Sequence, residues 1–146
     1  MRVFRIADGR YPLLDGMGPF LVGGRWNSPG VRVVYGSLSY ACAMLEILVH
    51  LNSESLPSNF VDVTLDVPDD LPVETAVLPS VWREKSNLTA DIGDEWVLSR
   101  RTVALLVPSA VAKNEHNVLL NPLHPDYGRV LASAPSPVLW DGRLIS

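Results

Sequence analysis

From Val61 to Val67 apolar and polar residues alternate without a break, and Pro68-Asp69-Asp70 follow, so the pattern predicts a half-buried strand over Phe60–Val67 closed by a turn. Val3-Phe4-Arg5-Ile6 has the same period near the amino terminus. Val31-Arg32-Val33-Val34-Tyr35 reads as a short strand. Val103–Val107 and Asn117–Asn121 are continuously apolar runs stopped by Pro108 and Pro122, as expected of strands buried on both faces. Val138–Ile145 predicts a closing strand or a hairpin around Asp141-Gly142.

Helical spacing appears after Ser37 and Ser39, either of which can cap a helix whose apolar positions are Leu38, Ala41, Cys42, Leu45, Leu48 and Val49. Gly93-Asp94-Glu95-Trp96 is expected to open a second helix, while Asp8–Pro12, Asp15–Pro19 and Pro125–Gly128 read as loop or turn. There is no internal repeat and no linker. The sum is one mixed α/β (α+β) domain over residues 1–146.

Composition narrows this picture. With 47% hydrophobic and 19% charged residues the chain is expected to fold throughout. A net charge of -4 argues against a general nucleic-acid or anionic-membrane binder. Cys42 is the single cysteine, which excludes an internal disulfide framework and any cysteine-based metal site, and the three histidines show no ligand spacing. No apolar run approaches the roughly 20 residues of a membrane helix, and the strand-like amino terminus carries no secretory pattern, so a cytoplasmic location is expected.

The chemistry concentrates between residues 23 and 48. Gly23-Gly24-Arg25 pairs a backbone that allows close approach with a guanidinium able to grip phosphate through two hydrogen bonds, and the plain alternative is a surface arginine beside a glycine turn. It is neither a dinucleotide fingerprint nor a P-loop. Tyr35 can wall a pocket or pack in the core. Glu46 is the one acid between Val33 and Leu51, inside a run that otherwise reads as buried helix. A carboxylate there is costly unless something uses it, either a catalytic role or a buried ion pair with Arg25 or Arg32. Ser109 follows the strand-ending Pro108, but without a positioned histidine it is no hydrolase nucleophile.

In order along the chain, Arg5, Gly23-Gly24-Arg25-Trp26-Asn27-Ser28-Pro29-Gly30, Val34-Tyr35-Gly36-Ser37, Ala43-Met44-Leu45-Glu46, Gly93-Asp94-Glu95-Trp96, Val107-Pro108-Ser109 and Asn117–Pro122 with His124-Pro125-Asp126 resemble the RES domain, the toxin of a bacterial toxin-antitoxin system. The resemblance spans nearly the whole chain. It implies a fold similar to ADP-ribosyltransferases, a split mixed sheet with flanking helices and NAD in the cleft as substrate, with no metal. It implies NAD degradation by hydrolysis or by phosphorolysis with inorganic phosphate, or transfer of ADP-ribose to a protein, and neutralisation by a cognate Xre-type helix-turn-helix antitoxin. The family's catalytic positions would be Arg25, Tyr35, Glu46 and Ser109, with NAD contacts from Arg5, Gly24, Arg25, Asn27, Tyr35 and Asn117. The chemistry fits these residue types: NAD already carries a cationic leaving group, so cleavage needs a carboxylate to favour positive charge on ribose and an arginine for the diphosphate. The reading from another class is a non-catalytic binding module in which Glu46 is a structural ion pair.

Overall fold

The structure is a computed structural model that describes residues 1–51 and 55–145. It is a mixed α+β fold, its elements being β1 (Arg2–Asp8), α1 (Met17–Val22), β2 (Val34–Ser37), α2 (Tyr40–Leu48), β3 (Phe60–Asp66), β4 (Val73–Thr75), α3 (Ser86–Ser99), β5 (Ala104–Pro108), β6 (His116–Leu120), β7 (Leu131–Ala132) and β8 (Ser136–Pro137). The strands form one sheet in the order β4-β5-β6-β2-β1-β3-β7, with β8 also on β3. Only β4 and β5 run parallel; the other pairs are antiparallel.

Residues paired across strands share a face, so the register sorts the side chains. One face carries Leu105, Leu119 and Tyr35, then Val107, Asn117, Ser37 and Phe4 in the next row. The other carries Ala104, Leu120 and Val34, and it packs with Val3, Leu65 and Val103 in one core. Continuous apolar runs in β5 and β6 follow directly, because both faces are covered and, apart from Leu106, Pro108 and His116, every position is buried. On the first face, α3 and Trp26 cover Leu105, Val107 and Leu119, while α2 sits on Phe4 and Ile6 through Tyr40, Ala43, Met44 and Ile47. In the row that runs from Val107 of one cluster to Phe4 of the other, Asn117 and Ser37 lie between the two.

The sheet is split between β1 and β2, which share one register pair, Phe4 with Ser37. Beyond that pair the Arg5 guanidinium braces the strands, its Nε donating to Leu13 O at 2.6 Å and its Nη1 to Tyr35 O at 2.9 Å. Gly36 is obligatory beside it: a Cβ there would lie 2.4 Å from Val3 Cγ1.

Several expectations are corrected. Residues 17–22 are helical; Asp15 Oδ1 accepts from Met17 N at 3.0 Å, and Pro19 falls in the first turn, where its missing N–H costs nothing. The strand expected over Val31–Tyr35 is displaced to Val34–Ser37 because β6 pairs only with those four residues. Ser39, not Ser37, caps α2, accepting from Cys42 N at 3.1 Å. The buried face of α2 is Cys42 and Ala43, while Ala41, Leu45 and Val49 are exposed. The second helix opens at Ser86, seven residues before Gly93. The Val138–Ile145 strand does not form: pairing stops at β8, and Asp141 Oδ1 accepts from Arg143 N to cap a 3-10 turn at Gly142–Leu144. Among the described residues no helix is long and apolar enough to cross a membrane.

Candidate functional site

The glycine-rich segment is a tight turn presented by α3. Gly24 and Asn27 bond to each other through their backbones at 3.0 and 3.4 Å, which puts Arg25 and Trp26 at the two corner positions. Trp26 turns inward and is buried; Arg25 turns outward and is exposed. Three positions of α3 grip the turn: Thr89 Oγ1 donates to Arg25 O at 2.6 Å, Asp94 Oδ1 accepts from Ser28 N at 2.9 Å, and Gly93 lies flush against Trp26. The Gly93-Asp94 motif is therefore a clamp for the arginine turn.

The same turn is locked from below. Asn27 is buried, its Nδ2 lying 2.9 to 3.1 Å from the carbonyls of Pro19, Ser28 and Val31. Tyr35 rises from β2, its hydroxyl donating to Asn27 Oδ1 at 2.6 Å and accepting from Trp26 N at 3.2 Å. Burial pushes its phenol far above the ordinary tyrosine range, so it stays a donor. Gly24 has no room for a side chain because the Tyr35 hydroxyl would lie 2.8 Å from its Cβ. Gly24, Asn27 and Tyr35 thus form a post that aims Arg25. Tyr35→Phe strips Asn27 Oδ1 and Trp26 N–H of this partner, and the expected loss is about 1–3 kcal/mol, read as a lower urea midpoint at unchanged m.

Across the first face, Ser109 and Glu46 meet. Ser109 lies two residues past Val107, and its Oγ accepts from Val111 N at 3.1 Å and Ala112 N at 3.0 Å. Its one proton is left for Glu46 Oε1, 3.0 Å away. Glu46 is half-buried and not fully buried as its apolar neighbours suggested. The alternative of an ion pair with Arg25 or Arg32 does not hold, because Arg25 faces Trp82 and Arg32 faces Phe20. Beneath this pair Ser37 Oγ donates to Asn117 Oδ1 at 2.6 Å, with Cys42 Sγ 3.6 Å from the same oxygen. The amide nitrogen of Asn117 has no protein partner among the described residues and is a donor available to a ligand. Burial pushes the Cys42 thiol up, which makes it a filler and not a nucleophile.

Glu46, in the last turn of α2, Ser109, just past β5, Asn117 and Ser37 therefore come together, and Arg25, Tyr35, Asn27 and Gly24 come together in the turn. The Arg5 side chain joins neither group, its one link to them being the bond to the backbone carbonyl of Tyr35. It lies on the face of Val3 with Tyr127 and Asp15 as its charge neighbours, and desolvation lowers its pKa. Sequence reasoning missed Thr89, Trp82, Arg83 and Glu115. Glu115 shapes the Ser109 loop: its carbonyl accepts from Ser109 N at 2.9 Å and its Oε1 accepts from Ser39 Oγ at 3.3 Å. Among the described residues no group of three or more His, Cys, Asp or Glu side chains is placed to hold a metal ion.

Comparison with known proteins places this arrangement. The family model described as RES domain matches residues 2–141. A Sphingobium protein named Prs ADP-ribosylating toxin is 40% identical over 139 residues, covering 90% of this chain and 86% of the relative. A Yersinia enterocolitica protein named Toxin Res is 36% identical over 151 residues, covering 99% of both. In the crystal structure of the M. tuberculosis MbcT-MbcA toxin-antitoxin complex, a chain of similar fold superposes with a TM-score of 0.75 at 19% identity, over 99% of this chain and 86% of that one. Its likeness is one of fold; the family-model match over residues 2–141 and the relatives 36% and 40% identical over 90% or more of this chain lead to one conclusion: the chain belongs to the RES domain family.

Proposed function

We propose that this protein is the toxin of a toxin-antitoxin pair and an enzyme that uses NAD as substrate, breaking its nicotinamide–ribose bond. The observation that carries the reading is Glu46: a carboxylate with no cationic partner among the described residues, fixed by the only proton Ser109 has to give. A fixed negative charge of this kind stabilises positive charge that develops on a sugar as its leaving group departs. Nicotinamide leaves NAD as a neutral molecule from a cationic ring, so no strong general acid is required. Arg25 takes the diphosphate, and the free amide N–H of Asn117 orients ribose or nicotinamide. Tyr35 acts through Asn27 and the turn backbone as a positioning residue. The relatives named as toxins support the toxin role, and the toxin-antitoxin complex of similar fold supports an antitoxin partner. The resemblance implies that this partner is of the Xre type, covering the cleft, and that the toxin acts in the cytoplasm.

Two classes of acceptor for the ADP-ribosyl group are chemically open to the same site. Water or inorganic phosphate gives degradation of NAD; a protein side chain gives ADP-ribosylation, and the 40%-identical Sphingobium relative, named an ADP-ribosylating toxin, favours the second. Product analysis separates them. Incubation of the purified protein with NAD in buffer, in buffer with phosphate, and in cell lysate is expected to release nicotinamide, with free ADP-ribose, ADP-ribose-1″-phosphate or a labelled protein marking the acceptor. Nicotinamide release in none of the three overturns the reading.

A further inference from the structure

Trp82 lies in a 3-10 turn, Trp82–Glu84, in a stretch with no motif that sequence reasoning could use. Its indole stacks at a tilt on the buried Trp26, centroids 5.9 Å apart, and so is tied to the turn that presents Arg25. Two guanidinium groups share this one ring: Arg25 at 5.9 Å and Arg83 at 4.9 Å from the centroid. Arg83 reaches further, its Nη1 donating to Ala110 O at 2.9 Å, next to the Ser109 that holds Glu46. Arg83 therefore spans the distance between the arginine turn and the glutamate–serine pair.

Neither guanidinium has a carboxylate partner among the described residues, whereas Arg10, Arg101, Arg129 and Arg143 each lie on one. Two like charges on one indole repel each other until an anion is shared between them. Arg83 uses one edge for Ala110, and its remaining N–H groups are suited to phosphate oxygens in the bidentate manner of arginine.

We propose that Arg83 is a second diphosphate-binding cation of this site, acting with Arg25 across the Trp82 platform on a ligand of the nucleoside-diphosphate class. The assignment rests on the reading of the cleft as an NAD site, but its core claim, an anion site built on Arg25, Trp82 and Arg83, is tested without turnover. The probe is ADP-ribose, titrated calorimetrically and by tryptophan fluorescence, with nicotinamide release measured in parallel. Arg83→Gln is expected to weaken ADP-ribose binding about ten- to hundredfold, the loss of a charge-assisted contact, and to flatten its salt dependence. The KM for NAD should rise by a similar factor while kcat falls far less. Arg83→Lys, which keeps a donor for Ala110 O, should recover part of the affinity, and it serves as the test if Arg83→Gln does not fold.

Unchanged ADP-ribose affinity in folded Arg83→Gln overturns the inference, as does a lowered kcat at unchanged KM. Wild-type protein that binds ADP-ribose through Arg83 yet releases no nicotinamide supports the anion site and overturns the cleavage reading. Wild-type protein that cleaves NAD with a KM indifferent to Arg83 does the reverse.

Discussion

Glu46→Gln is expected to give a folded protein whose rate of nicotinamide release is lower by about 10²–10³-fold. The structure separates the two properties. Ser109 Oγ has both lone pairs occupied by Val111 N–H and Ala112 N–H, and its proton goes to Glu46 Oε1. A glutamine carbonyl accepts that proton equally well, so packing and hydrogen bonding survive and the melting temperature should move by only a few degrees. What disappears is the negative charge that the proposed mechanism sets against the ribose. A binding module with a structural glutamate would behave oppositely, losing stability and having no turnover to lose. Nicotinamide release by folded Glu46→Gln at the wild-type rate would remove Glu46 from the chemistry.

Gly93→Ala carries the largest expected effect on stability. In a helix, alanine is ordinarily better than glycine by about 1 kcal/mol. Here a Cβ would lie 1.7 Å from Trp26 O and 2.7 Å from Trp26 C, backbone atoms that no rotamer change can move. Either α3 or the arginine turn must shift, and the overpacking cost exceeds the propensity gain. The expected net loss is about 3 kcal/mol or more, a fall of roughly ten degrees in melting temperature for a domain of this size. Because Thr89 and Asp94 grip the same turn from the same helix, the shift also displaces Arg25, so the KM for NAD should rise in whatever folds. An unchanged melting curve would show that α3 does not clamp the turn as described.

These two positions illustrate what the sequence could and could not say. The strands were legible where the solvent pattern is simple: β3 alternates because one side of it is more open, and β5 and β6 are uninterrupted because both sides are covered. Glu46 stood out as a carboxylate among apolar residues, whereas Ser109 entered only through the family resemblance. Gly93 misled because a glycine followed by an aspartate looks like a helix start, and only the Trp26 backbone pressed against it explains a glycine at mid-helix. Asn27 and Tyr35 were expected as NAD contacts through the family resemblance, while the structure commits their polar atoms to each other and to the turn. The exposed face of α2 was invisible to helical spacing, since Ala41, Leu45 and Val49 are as apolar as the buried Cys42 and Ala43. Arg83 and Trp82 carried no local signal. Their meaning comes from Ala110 and Arg25, far away along the chain.

The central claim is that this cleft breaks the nicotinamide–ribose bond, whatever accepts the ADP-ribosyl group. Release of nicotinamide from NAD labelled in the nicotinamide ring follows that bond alone and is common to hydrolysis, phosphorolysis and protein modification. Release by the wild-type protein is expected under at least one condition among buffer, added phosphate and lysate, with its near-abolition in folded Glu46→Gln. Folded wild type that leaves the label in NAD under all three conditions would contradict it.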